Sequence, residues 1–372
     1  MKKHSELIVH TTNPENAEPP LELLRKHFIT PEELFYVRNH GNIPLIDAES
    51  YRLKVSGLVE HELEISMDNI FCDFPEKTVM ATVQCAGNRR TELLSVAPIP
   101  GEVPWREGAI GNATWKGIPL KEVLKKAGVK SEVRYVEFTG ADDVFRNGEN
   151  VGFGASIPIE KAMTDEVLLA FEMNGKPLEP IHGYPLRVIV PGFIGARSVK
   201  WLSEIILRTE PSKNYFQDRA YRLFPPDAKP ETVDWNSGVQ LSQLDVNCVI
   251  TSLVKNAAAR DSQFIIQGYA MGMGGRKIKR VEVSMNGGEK WNTAKITEGD
   301  HFGVWSFWEI ELEIPLGEQE IIARAFDEDS NSQPDQFEKV WNFKGYMNNA
   351  WHRLKFKVSE FPETSRLEKF GS

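Results

Sequence analysis

Val83-Gln84-Cys85-Ala86-Gly87-Asn88-Arg89-Arg90 places a lone cysteine, a glycine and two adjacent arginines at the end of a run of β-forming residues, Thr78 to Val83. The pattern predicts a strand feeding straight into a loop, so that a thiol and two cations share one turn. Thiolate is a soft metal ligand. Neighbouring arginines are expected to lower its pKa and to draw in an anionic substrate or cofactor. On its own the stretch also reads as a buried structural cysteine followed by a surface basic pair, and the rest of the chain has to decide between the two.

With 372 residues the chain is long enough for two domains, each with its own core. A hydrophobic content of 41% with 26% charged residues is ordinary for a soluble globular protein. Forty-four basic against fifty-three acidic residues leave a net charge of -9, which argues against nucleic acid or an anionic membrane as partner. An anionic substrate must then be attracted by a local basic cluster. The three cysteines, Cys72, Cys85 and Cys248, have no C-x-x-C spacing, which argues against a disulfide framework, a zinc ribbon, an iron-sulfur cluster or attached haem. Between Met1 and Pro20 the longest apolar run is Leu7-Ile8-Val9, too short for a signal-peptide core. Arg89-Arg90 is too far from the start for twin-arginine export, and no stretch reaches the length of a membrane span. The expectation is a cytoplasmic protein.

Outward from the cysteine loop, residues 1–28, with Asn13-Pro14-Glu15-Asn16 and Pro19-Pro20, read as a polar N-terminal leader that wraps the surface. Residues 29–240 read as a catalytic domain. Tyr51, Leu53 and Val55 alternate as a half-buried strand ending at Gly57. Leu120, Val123, Leu124 and Ala127 have helical spacing between Pro119 and Gly128. Val133 to Phe138 predicts a strand that breaks at Gly140-Ala141-Asp142-Asp143; Glu166 to Phe171 predicts another, with a hairpin turn at Asn174-Gly175. Pro185 to Pro191 reads as a buried strand, and the Gly192 to Gly195 loop leads into Arg197, Ser198 and Lys200, a combination suited to a phosphate group or to a plain structural turn. After the joint Phe224-Pro225-Pro226-Asp227-Ala228-Lys229-Pro230, residues 241–372 turn all-β: Val281, Val283 and Met285 alternate before Asn286-Gly287-Gly288, and Trp305 to Ile314 and Glu320 to Asp327 give further strands. That texture predicts an immunoglobulin-like sandwich for dimerisation, plus a C-terminal tail. Trp291, Trp305, Trp308 and Trp341 are assigned to packing.

Cys-Ala-Gly-Asn-Arg-Arg also resembles the molybdenum-ligand loop of the sulfite oxidase family of molybdopterin oxidoreductases, shared with the molybdenum domain of plant-type nitrate reductase. Five more stretches carry the resemblance in the same order: Phe35-Tyr36-Val37-Arg38-Asn39-His40, Gly108 to Gly117, His182-Gly183-Tyr184-Pro185-Leu186-Arg187, Gly195-Ala196-Arg197-Ser198-Val199-Lys200 and Asn349-Ala350-Trp351-His352-Arg353. It covers roughly residues 30–355. The resemblance implies an α+β architecture, a mixed α/β molybdopterin domain followed by the sandwich. It implies molybdenum and molybdopterin as cofactors, with Cys85 the metal ligand and the metal cofactor carrying the redox chemistry.

By position, the resemblance implies that Tyr36, Val37, Arg38, Asn39, His40, Asp142, His182, Arg187, Arg197, Ser198, Val199 and Lys200 hold the pterin and its phosphate. It implies a substrate pocket of Arg38, Arg90, Trp105 and Tyr221, two guanidiniums being suited to an oxyanion such as sulfite. Where animal relatives carry an arginine in the sandwich domain this chain has Lys344, which keeps the charge and loses the bidentate fork. The chain lacks the family's fused haem or flavin domains, so a separate electron acceptor, oxygen, a cytochrome or another carrier, is expected. So is a homodimer. The favoured activity is oxidation of sulfite to sulfate; reductive oxygen transfer from nitrate or a sulfoxide, and a non-catalytic cofactor carrier, are the alternatives.

Overall fold

The computed structural model describes residues 3–146, 148–255 and 262–359; the tail expected within 241–372 lies, from residue 360 onward, outside the described residues. Two five-stranded sheets form the first half of the molecule. In one the strand order is Gly154–Pro158, Tyr135–Gly140, Leu202–Arg208, Arg52–Gly57, Leu63–Ser66, with a single parallel pairing, Leu202–Arg208 against Arg52–Gly57. Leu53 and Val55 point inward from Arg52–Gly57 while Arg52 and Lys54 stay exposed, as a period of two requires. The other sheet runs Lys176–Pro177, Leu168–Met173, Ile110–Pro119, Lys77–Gln84, with Arg187–Ile189 also paired to Leu168–Met173. That strand starts two residues later than the sequence predicts. Asn174 and Gly175, with φ of 51° and 77°, make the tight turn out of it.

Leu120–Ala127 is a helix whose buried face is Leu120, Val123, Leu124 and Ala127. Gly128, at φ 71°, closes it by donating its N–H to the carbonyls of Leu124 and Lys125. Glu122 in the first turn and Lys125 and Lys126 in the last oppose the helix dipole. Among the described residues no helix is long and apolar enough to cross a membrane.

In the second half the expected sandwich takes the form of one hydrogen-bonded path of seven strands: Asn247–Lys255, Gln263–Met271, Ser306–Glu313, Asn292–Glu298, Ile278–Ser284, Gly317–Asp327, His352–Val358. The path curls until its first and last strands meet, where the Ile250 N–H donates to His352 Nδ1 at 3.3 Å, so the sandwich is nearly a closed barrel. It has its own core around Val281, Val283, Trp308, Ile321 and Phe356. Tyr269, Trp305 and Phe307 instead pack into the core of the first half.

That shared packing fixes the cysteine-bearing strand. Thr82 donates its N–H to the Gly303 carbonyl at 2.8 Å, and its Oγ1 accepts the N–H of Trp305 at 2.8 Å. The Trp305 indole donates to the Phe28 carbonyl at 3.1 Å. Trp305→Ala is expected to cost about 3–5 kcal/mol by opening a cavity at this junction, measurable as a fall in denaturant midpoint; an unchanged midpoint contradicts the packing argument.

Candidate active site

Strand Lys77–Gln84 delivers Cys85 to the interior with its N–H bonded to the Ala109 carbonyl at 2.9 Å. The Gly87 N–H donates to Cys85 Sγ at 3.4 Å. A side chain at Gly87 would displace the Arg90 guanidinium, because its Cβ would lie 2.7 Å from Arg90 Nη2. Burial pushes the thiol pKa up and outweighs Arg38, Arg90 and the Gly87 N–H, which pull it down. This corrects the expectation of a depressed pKa: desolvation of a buried thiolate exceeds the attraction of the nearby cations.

The two arginines diverge. Arg89 has φ 67°, a left-handed turn that sends its side chain toward the second half. There it grips Glu92 with Nε and Nη2 at 2.8 and 2.6 Å and donates from Nη1 to Asn247 Oδ1 at 2.7 Å. Arg90 stays near the thiol, but its donors go to the carbonyls of Lys344 and Gly345, both at 3.1 Å, and of Val103 at 2.6 Å.

Cys85 lines a cavity together with Tyr36, Arg38, Asp142, Lys200 and Tyr221. Asn39, His40, His182, Arg187 and Ser198 complete its polar wall. Gly183, at φ 105°, makes the turn that brings Arg187 and Lys200 together; a Cβ there would lie 3.0 Å from Lys200 Cβ and 3.1 Å from Arg187 Cβ. Burial lowers the Arg187 guanidinium to about 10 and the Lys200 ammonium well below its ordinary value. Asp142 is pushed up to about 6 by burial, against the pull of Lys200. Burial, with Arg38, Arg146 and Lys200, keeps His40 neutral; burial, with Lys3, Lys200 and Arg187, does the same for His182. His40 Nε2 lies 2.9 Å from the Tyr221 hydroxyl, whose pKa burial raises to about 12. For Arg38, burial works against the charge but Tyr221, Cys85, Tyr346 and Glu102 outweigh it.

The residues present suit a buried, polar, anionic group. Asn39 Nδ2, Asp142 Oδ1 and Arg187 Nε are buried without a protein partner, three orphaned groups on one cavity wall. Arg187 and Lys200, both desolvated, line the same cavity, and its carboxylate, Asp142, acts on Lys200.

Six residues of the predicted site are not on the cavity wall. Arg90 is held by the carbonyls just named. Lys344 forms an ion pair with Glu102, which also lies 3.7 Å from Arg90. Trp105 is fully buried between His10 and Tyr36. Val37 is a buried strand residue paired with Ala17. Arg197 turns to the Leu241 carbonyl, and Val199 presents its carbonyl to Val188 N–H.

The leading segment supplies residues that the sequence reading passed over. Ile8–Thr12 and Glu15–Glu18 form a hairpin whose second strand pairs with Val37–Arg38. Asn16 Oδ1 accepts from Arg38 Nη1 at 3.1 Å and from Asn39 N–H at 3.0 Å. Glu18 accepts the N–H groups of Arg106 and Gly108 at 2.7 and 2.8 Å. Lys3, lowered by burial to about 7 against Glu15, Glu32 and Glu33, lies 2.8 Å from His182 Nε2. The available signal was the apolar Leu7-Ile8-Val9 run followed by a turn, which marks a hairpin and says nothing about its partner.

Comparison with known proteins gives two family matches: the oxidoreductase molybdopterin binding domain over residues 40–216 and the Mo-co oxidoreductase dimerisation domain over residues 239–359. The chain is 40% identical to mitochondrial sulfite oxidase of Homo sapiens, over 96% of this chain and 67% of that protein. It is 38% identical to sulfite oxidase of Arabidopsis thaliana, over 96% of this chain and 95% of that protein. Among solved structures it resembles the sulfane dehydrogenase SoxCD of Paracoccus pantotrophus, with a TM-score of 0.79 and 27% identity over 96% of this chain and 87% of that one.

Asp142 gives a test of the cavity's electrostatics in cofactor-free protein. Its native pKa of about 6 lies above the unfolded value of 3.8, so the folded state holds the proton more tightly and stability falls as pH rises through this window. Between pH 4 and pH 7 the wild type is expected to lose about 2 kcal/mol relative to Asp142→Asn. Denaturant titrations across that range read the difference; parallel pH profiles contradict it.

Proposed function

The chain belongs to the sulfite oxidase family of molybdopterin oxidoreductases, and we propose that it is a molybdenum-dependent enzyme that oxidises sulfite to sulfate by oxygen-atom transfer. One observation carries the reading: a thiol and an arginine with unspent donors face the same cavity, whose wall is rich in desolvated cations. Cys85 would hold a molybdenum carried by molybdopterin, and that metal would supply the two-electron couple and the transferable oxygen.

The cavity's own groups divide into two sets. Arg187, Lys200, Ser198, His182, Asn39 and Asp142 offer donors and acceptors suited to a pterin and its phosphate, and a phosphate would meet the charge that burial leaves uncompensated on Arg187 and Lys200. Arg38, His40 and Tyr221 stand on the substrate side. Arg38 binds and orients the oxyanion with directed donors. Tyr221 keeps its proton on Oη at neutral pH and shares a hydrogen bond with neutral His40, so the pair orients an anion without adding negative charge near it. The match of residues 239–359 to a dimerisation domain supports a homodimer. The electrons leave to a separate acceptor.

Anaerobic addition of sulfite to cofactor-loaded protein is expected to bleach the thiolate-to-molybdenum absorption band rapidly. A band that sulfite leaves unchanged would sink the sulfite assignment and turn the search to other oxygen donors and acceptors. Cys85→Ser is expected to retain extractable pterin and to lose turnover, since a hydroxyl is a poor substitute for a soft thiolate ligand; full activity in that variant would remove Cys85 from the metal.

A further inference from the structure

Arg38 spends one end of its guanidinium inside the protein. Nη1 donates to Asn16 Oδ1 at 3.1 Å and to the Asn39 carbonyl at 2.6 Å. Among the described residues no protein acceptor meets Nε or Nη2. Those two nitrogens carry parallel N–H bonds along one edge of the plane, the arrangement that grips two oxygens of an anion at once.

Asn16 is the side-chain partner that decides which edge is left over. Its amide is held in one orientation, because Nδ2 donates to Thr11 Oγ1 at 2.8 Å and to the Pro14 carbonyl at 3.0 Å. A flipped amide would set donor against donor at Arg38. The residue is only 2% exposed, so water cannot take over the acceptor role.

We propose that Asn16 is a positioning residue for oxyanion binding: by engaging Nη1 from the N-terminal hairpin it turns the Nε and Nη2 edge of Arg38 toward the anion in the cavity. The proposal rests on the reading of Arg38 as the anion's ligand. It extends the site beyond the family match at 40–216 to a segment that contributes no cavity-lining residue.

The test compares Asn16→Ala and Thr11→Val in the loaded enzyme, using calorimetric titration with inorganic sulfate and steady-state oxidation of sulfite. Losing a hydrogen bond to a charged group corresponds to about a tenfold change in affinity. Asn16→Ala should therefore raise both the sulfate Kd and the sulfite KM by about tenfold with kcat little changed. Thr11→Val, which removes one of the two anchors of the Asn16 amide and leaves the Pro14 carbonyl to hold it, should raise both by clearly less than Asn16→Ala does. Unchanged sulfate affinity in Asn16→Ala, or an equal loss in Thr11→Val, overturns the proposal. If Asn16→Ala does not fold, Asn16→Asp keeps the acceptor and adds a negative charge beside Arg38; sulfate affinity should then fall, most at low ionic strength, and an unchanged affinity is again fatal. A wild type that binds sulfate but oxidises no sulfite defeats the substrate reading and leaves the role of Asn16 standing. A wild type that binds no sulfate defeats both.

Discussion

Positive charge buried without its counter-charge is the constraint on which this site depends. Arg38, Arg187 and Lys200 face one cavity with Asp142 as the carboxylate among them, and burial raises even that carboxylate toward its neutral form. Taking a cation out of water costs several kcal/mol unless a partner restores what hydration supplied. The depressed values of Lys200 and Arg187 record that the protein itself does not restore it. A cavity of this kind is complete only when anions arrive from outside. A phosphorylated cofactor and an oxyanion substrate, the two anions of the proposed function, would supply that missing charge.

Holding such a cavity open requires that its walls cannot relax onto each other, and the fold achieves this by taking each wall from a different place. The thiol follows the end of Lys77–Gln84, an edge strand of its sheet, Arg38 comes from the N-terminal sheet, Arg187 from the strand Arg187–Ile189 and Lys200 from the segment just before Leu202–Arg208. The second half of the molecule closes the arrangement. Met347 donates its N–H to the Ala86 carbonyl at 2.7 Å, beside the thiol. Tyr346 stacks on Tyr221 at 5.2 Å. The positive φ of Arg89 is what lets one short loop serve both purposes, since it directs Arg89 to Asn247 in the barrel while Arg90 stays beside Gly87. Adjacent in sequence, the two arginines have no function in common.

The strands were legible in the sequence because they depend on local order, and the cavity residues because of the family resemblance. Leu53 and Val55 alternate, the 120–127 helix carries its own start and stop, and Asn174-Gly175 has few other uses than a tight turn. The cavity residues Tyr36, Asn39, His40, Asp142, His182, Arg187, Ser198 and Lys200 were placed by that resemblance and by no local pattern of their own. What stayed hidden is orientation and long-range pairing. Nothing in Arg89-Arg90 announces a left-handed residue, and nothing in Asn13-Pro14-Glu15-Asn16 says that its last member reaches Arg38. The thiol pKa is hidden for the same reason. The sequence displays the arginines, whereas the desolvation that outweighs them exists only once the loop is buried.

Lys344 shows how this geometry sets the balance of charge at the substrate side. An arginine at that position would carry a planar fork able to span a neighbouring carboxylate and an anion together; a lysine is a single point of charge and can be claimed by one partner. Here Glu102 claims it, and the same carboxylate lies near Arg90, whose remaining donors are bound to backbone carbonyls. Of the three cations assigned to the substrate pocket, Arg38 is, among the described residues, the one that lines the cavity and keeps its Nε and Nη2 edge unspent. Because the chain as a whole carries a net charge of -9, the long-range field does not compensate for the other two. On the proposed reading, recognition of the substrate anion then rests on the orientation of that guanidinium, and its rigidity matters more than the number of basic residues nearby.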